Sequence, residues 1–246
     1  GEADLDARQL RLCGPNSLTS DPIRVLRGVR LISSYDLSYG FEIIAEMRVA
    51  IKKLGAVSGE RIRDELFKCL AVSNFGVAAG LMSDFGVFDQ LRRLTFGVDP
   101  VVPNLQQDDT EALASVTGIT GNHAEEQHEP FLSAIPELEH MLAYQGMLEE
   151  ALQGGRKRRH LLLLCSVLLH IHPAFDSVKI GENKLQPAVF AEQISQALLT
   201  GQKENYYFKA VSGGFLRLAE LSMQEPGILD YYRFFRDFGV HGLDSA

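Results

Sequence analysis

Tryptophan is absent from this 246-residue chain, so any stacking on a planar ligand must use Tyr, Phe or His. Its three cysteines, Cys13, Cys69 and Cys165, stand far apart with no C-x-x-C pair. That pattern argues against a disulfide framework or a thiolate metal site, and it fits a reducing cytoplasm. The longest apolar run, Leu161–Leu169, is interrupted by Ser166 and is too short to cross a bilayer. No secretory signal precedes Gly1. Glycine-rich phosphate loops and sustained period-two alternation are missing, which removes the dinucleotide-binding and β-rich classes. Excess positive charge is missing as well. The net charge is −8, so a nucleic-acid ligand would need local basic clusters rather than a basic domain.

What remains is a composition able to build a core, 46% hydrophobic and 23% charged, in a text that is helical almost throughout. Asp21 followed by Pro22 reads as a helix start, with a capping carboxylate and then a proline whose missing N–H costs nothing. Val25, Val29 and Ile32 recur at helical spacing and define a buried face. Further helices are expected from Glu42 to Leu54, stopping at Gly55, and from Ser58, with Ile62, Leu66 and Leu70 inward. Another runs from Asn74 to Asp84, ending at Gly86, and Leu91 closes a first module. Residues 95–130, with Pro100, Pro103, Gly118 and Gly121, read as loops around a short helix near Asp109–Val116. Helical text resumes from Phe131 to about Leu152 and is broken at Gly154-Gly155. Leu161–His170 is apolar nearly all round, as in a central helix. Helices at Pro187–Leu199, Glu204–Met223 and Ile228–Phe235 complete the pattern. The expectation is an all-α array of two consecutive modules, residues 1–94 and 131–246, joined by the loop-rich 95–130.

The informative stretch is Asp21-Pro22-Ile23-Arg24-Val25-Leu26-Arg27-Gly28-Val29-Arg30. At 100° per residue its three arginines form one slanting stripe, and the valines face away. Asp21 and Arg24 lie a turn apart. A carboxylate accepts and a guanidinium donates in a fixed fork, so the two together offer a planar acceptor–donor edge. A base with an exocyclic amine beside a ring acceptor, cytosine or adenine, complements it. From spacing alone, a helix cap at Asp21 and a surface salt bridge to Arg24 are the favoured reading. A second basic run, Arg156, Lys157, Arg158 and Arg159, reads either as a solvated helix start or as a phosphate contact.

This stretch resembles the neck helix of the class II tRNA nucleotidyltransferases and bacterial poly(A) polymerases, which opens with acid-Asp-x-x-Arg and continues Leu-Arg-x-x-Arg. Asp21, Arg24, Leu26, Arg27 and Arg30 match it. The lead-in Asp4-Leu5-x-x-Arg8-x-Leu10-Arg11, the segment Ser58-x-Glu60-Arg61-Ile62-x-x-Glu65-Leu66, Ile135-Pro136-Glu137-Leu138 and Tyr232-Arg233-Phe234-Phe235-Arg236-Asp237 are similar to other family segments. The likeness covers residues 4–90 well, 131–175 in patches and 228–244 again. It implies the all-α fold of the poly(A) polymerase C-terminal region: neck, body and partial tail without the catalytic head. It also implies that Asp21 and Arg24 select the incoming nucleotide, and that Arg27 orients Arg24 or touches a phosphate. Ser58–Leu66 would brace the neck, and Arg30 and residues 156–159 would meet RNA phosphates. The implied partners are tRNA 3′ ends or RNA tails, a nucleoside triphosphate and an upstream head domain. Mg2+ and ATP or CTP would serve the parent enzyme. Ser20 stands where many members carry Glu, a departure that bears on CTP more than on ATP.

The chemistry of that family needs two metal-binding carboxylates on a strand after a Gly-Ser turn. The D-x-D of Asp4-Leu5-Asp6 lacks that context, so this segment alone is expected to transfer nothing. Some relatives also carry a His-Asp metal pair near His170-Ile171-His172. Here Ile171 replaces the Asp, leaving His170 and His172 as weak metal candidates, with His123, His128, His140 and His160 as further histidines. The expected roles are structural for His170 and surface for His172. The alternatives are a stand-alone RNA-binding module and a degenerate HD-type phosphohydrolase.

Overall fold

The computed structural model describes residues 2–99, 123–144, 156–175, 185–223 and 226–238. The short helix expected near Asp109–Val116, the Gly154-Gly155 break and the turn at Gly242 lie outside them. Twelve α-helices and no β-strand are found among the described residues. Gln9 and Ser38 meet in an isolated bridge, with the Leu10 amide donating to the Ser38 carbonyl at 2.8 Å.

Short helices α1 (Glu2–Asp6) and α2 (Ser17–Ser20) lead into α3 (Ile23–Tyr35). On α3, Val25, Leu26 and Val29 are wholly buried while Arg24 and Arg27 face out, as the period of 3.6 requires. The helix ends at Asp36, a left-handed residue (φ 52°) whose amide donates to the Ile32 carbonyl; a short polar side chain tolerates that backbone better than most. The cap at the other end differs from expectation. The helix starts at Ile23 with no side-chain cap, and Asp21 supplies only its backbone carbonyl to the Arg24 amide. Its carboxylate is held elsewhere, by an arginine of a later helix.

Helix α4 (Phe41–Ile51) is shorter than expected, because a 3-10 turn at Leu54–Ala56 takes over its last residues. Helix α5 (Gly59–Leu70) follows Ser58. Asn74 caps α6 (Phe75–Asp84) through its side-chain oxygen, which accepts from the Val77 amide. Helix α7 (Val87–Phe96) continues beyond Leu91 and stops at Gly97, whose φ of 67° suits a residue without a Cβ.

Helix α8 (His123–Tyr144) begins eight residues before Phe131 and passes through Pro130 and Pro136. Its opening residues are polar and carry no apolar period, which is why the pattern missed them. Helix α9 (Arg158–His170) buries Leu161 to Cys165 in succession. Helices α10 (Pro187–Leu198), α11 (Gln202–Ser222) and α12 (Ile228–Phe238) follow. Helix α3 packs on α5 and α6, α6 on α8, and α9 on α5, α7 and α11. One buried cluster runs from Leu18 through Leu161–Leu168 to Val211. Gly59 lets the start of α5 approach the end of α10, since a Cβ there would collide with the Ala197 carbonyl.

Candidate functional site

Helices α3 and α5 meet along a seam that collects most of the charges singled out in the sequence. At its head, the Arg24 Nε lies 3.7 Å from Asp21 Oδ2, and Arg24 Nη1 donates to the Ser17 carbonyl at 3.1 Å. Arg61, from α5, places Nη2 at 3.0 Å from Asp21 Oδ1 and 3.1 Å from Oδ2. Further along, Glu65 is 3% exposed, yet it accepts hydrogen bonds from Arg30 Nε at 2.9 Å and Lys68 Nζ at 3.1 Å. Arg27 Nε stands 3.7 Å from the same carboxylate. Burial by itself would raise the Glu65 carboxyl. The hydrogen bonds from Arg30 and Lys68 outweigh it and hold the group below the usual carboxylate range.

Each α3 arginine thus has an acidic neighbour, but the neighbours come from different places. Arg24 pairs locally with Asp21, while Arg27 and Arg30 depend on Glu65, which stands 35 residues after Arg30 on a different helix. The cationic heads of Arg24, Arg27, Arg30, Arg61 and Lys68 outnumber the two carboxylates between them. A positive strip therefore exists on a chain whose net charge is −8. Arg24, Arg27 and Arg61 keep 44%, 47% and 50% of their side-chain surface in solvent, so a ligand can reach them. Arg61 and Glu65 entered the sequence reading only as parts of a bracing segment. Their signal was present: opposite charges four apart on α5 face a stripe of arginines on α3.

The run 156–159 lies apart from the Asp21 end. Arg159 donates to the Leu70 carbonyl at 2.6 Å and the Val72 carbonyl at 3.3 Å, and it pairs with Glu139 of α8. Arg156 lies 4.0 Å over the Phe67 ring and pairs with Glu204. Arg158 is 3% exposed, and Lys157 supplies the N-cap residue of α9. The run tethers α9 to α5, α8 and α11. Arg156 and Arg159 are therefore engaged within the fold.

No protein-family model matches the chain. A curated relative, the CC-adding tRNA nucleotidyltransferase of Geobacter sulfurreducens, is 37% identical over 70 residues, which cover 28% of this chain and 16% of the relative. A CCA-adding enzyme solved in complex with CTP superposes with a TM-score of 0.58 at 17% identity, covering 100% of this chain and 47% of its own. The Thermotoga maritima CCA-adding enzyme complexed with tRNA gives the same TM-score and identity and is covered to 49%. The family likeness is to the class II tRNA nucleotidyltransferases. The chain spans about half the length of these solved structures, and their similarity fixes the fold of the array.

Against that likeness, the region where some nucleotidyltransferases carry a His-Asp pair has a different chemistry here. His170, at the end of α9, lies with its Nε2 2.7 Å from His128 Nδ1 on α8. Phe131 stacks on the His170 ring at 4.6 Å between centroids, and Phe88 meets His128 edge-on at 5.0 Å. Burial pushes both imidazoles down to about 4, and for His128 the neighbouring His170 and Arg92 add to the effect. The pair is therefore neutral near pH 7, one ring donating and the other accepting. His172 is not the surface residue expected. It is half-buried against Phe96 and Phe190, at 4.7 and 5.6 Å, and its Nδ1 accepts from the Ala174 amide. Just past the end of α9, the ring lies between Phe96 of α7 and Phe190 of α10.

His128 and His170 are engaged with each other. Among the described residues, no group of three or more His, Cys, Asp or Glu side chains converges. Asp4 of the Asp4-Leu5-Asp6 stretch is paired with Arg11 at 3.2 Å. No described helix is long and apolar enough to cross a membrane.

Proposed function

We propose that this chain is the helical, RNA-facing portion of a template-independent RNA nucleotidyltransferase that adds CMP and AMP to tRNA 3′ ends or a poly(A) tail to RNA. In this reading Asp21 and Arg24 read the base of the incoming nucleotide, Arg27 holds Arg24 in place or meets a phosphate, and Arg30 lends charge to the strip. The observation that carries it is the corner itself. Asp21 and Arg24 stand side by side where α3 begins, with 23% and 44% of their side-chain surfaces in solvent, and an opposite-charge lattice rooted in the buried Glu65 fixes the helix beneath them. Base reading of this kind needs a rigid backbone under an accessible edge. The curated relative adds to the reading, as do the solved relatives bound to CTP and to tRNA. Tyr231, Tyr232 and Arg233 lie exposed on α12 and offer RNA the stacking surface that tryptophan does not supply.

Phosphoryl transfer in the parent enzyme would draw on Mg2+ held by carboxylates of a domain outside this chain. The residues described here contribute selection and grip. The test is incorporation of ATP, CTP, GTP and UTP into a tRNA lacking its terminal nucleotides, by the full-length parent and by its Arg24→Ala variant. One bidentate contact contributes roughly 1–3 kcal/mol of discrimination, so selectivity for amine-bearing bases should fall by about one to two orders of magnitude. Unchanged selectivity would return Asp21 and Arg24 to a salt bridge at a helix start. Magnesium-dependent extension of RNA by residues 1–246 alone would overturn the division of labour.

A further inference from the structure

The hydrogen-bonded partner of Asp21 is Arg61 rather than Arg24. The Arg61 Nη2 sits almost equally far from both carboxylate oxygens, at 3.0 and 3.1 Å, and so covers the open edge that they share. Arg24 Nε is farther away, at 3.7 Å, and its Nη1 is turned to the Ser17 carbonyl. The nearby Ser20 hydroxyl bonds the Ser17 carbonyl as well and offers Arg61 no competing anion. An ionised carboxylate has about four acceptor positions, two for each oxygen, and one on each oxygen is taken here by a donor of the protein itself.

Building on the base-reading role of Asp21 proposed above, we propose that Arg61 is a specificity-determining residue of this corner. It occupies the carboxylate edge that an exocyclic amine must use, and a base is read only by displacing it. The displacement is feasible. Arg61 keeps half its side-chain surface in water, and exposed ion pairs of this kind are weak. Its guanidinium swings into solvent with little loss. While it stays, it screens the negative edge that separates amine-bearing bases from carbonyl-bearing ones. Arg61 thus lowers affinity for the preferred bases and blunts their advantage over uracil.

Equilibrium binding of ATP, CTP and UTP to the intact protein carrying these residues tests this directly. Arg61→Met keeps the apolar stem and removes the donors; Arg61→Gln removes the charge and leaves a shorter, neutral amide. Both should bind ATP and CTP about two- to fivefold more tightly, the range an exposed ion pair allows, with UTP affinity unchanged. Arg61→Lys, whose ammonium still donates to the same carboxylate, should stay near wild type. Unchanged or weaker ATP binding in both neutral variants, with Asp21→Asn and Arg24→Ala still weakening it, would overturn the proposal and make Arg61 a buttress. If Asp21→Asn and Arg24→Ala leave ATP affinity unaltered, the base-reading role itself fails, and this inference with it.

Discussion

The charged seam between α3 and α5 and the aromatic pocket around His128 and His170 are built by opposite means. In the seam, half-exposed arginines surround one buried carboxylate, and every ion pair can be remade by a ligand or by water. In the pocket, two imidazoles share one hydrogen bond beside two phenylalanines, and both rings are neutral near pH 7. The difference separates two ways of using polar residues. Polar groups that remain wet stay available for recognition. Polar groups that are dried and mutually satisfied become part of the core. The histidines were the more conspicuous metal candidates in the sequence, yet it is the arginine stripe that the fold leaves open.

The comparison is broken most strongly by emptying the pocket. Phe88 is 1% exposed and touches both His128 and His170, so Phe88→Ala should lower unfolding free energy by about 3–5 kcal/mol, read by chemical denaturation. Loss under 1 kcal/mol would mean that the pocket is not a packed core. Acid should act next. Both histidines fall from an ordinary 6.5 to about 4 in the folded chain, so between those pH values the unfolded chain binds more protons. The stabilising contribution is complete above pH 6.5 and is lost as pH falls toward 4. The slope should reach about 1.4 kcal/mol per pH unit for each ring at most. The double variant His128→Leu/His170→Leu should flatten that part of the stability–pH curve; an unchanged acid limb would assign it to other groups. The smallest effect belongs to the seam. Glu65→Gln removes the charge that anchors Arg30 and Lys68. With those partners part-exposed, it should cost about 1–2 kcal/mol, and it should weaken nucleotide binding by loosening α3 beneath Asp21. An effect on stability without one on binding would uncouple the seam from recognition.

The helices themselves were largely readable. Val25, Val29 and Ile32, the Asn74 cap and the proline that opens α10 are local signals, each acting within a turn or two of chain. The arginine stripe was readable for the same reason. The beginning of α8 was not, because its polar residues hold helical form without an apolar period. The partners of the stripe were only half visible. Arg61 and Glu65 could be seen as a charged segment, but which carboxylate each would serve depends on the crossing of α3 and α5. The run 156–159 was ambiguous for the same reason. Its charge density suits solvent or phosphate equally, until Glu139, Glu204 and two carbonyls at the end of α5 are brought up to it.

By itself, then, the sequence determined that the chain is all-α, where most of its helices lie and which face of α3 carries the arginines, because backbone propensity and a period of 3.6 operate over neighbouring residues. The tertiary structure alone decided that Arg61 covers Asp21, that His128 closes on His170, and that Arg156 and Arg159 serve the fold. Those pairings join side chains separated by as much as forty to ninety positions, and only the packing of whole helices sets which donors reach which acceptors and which of them stay wet.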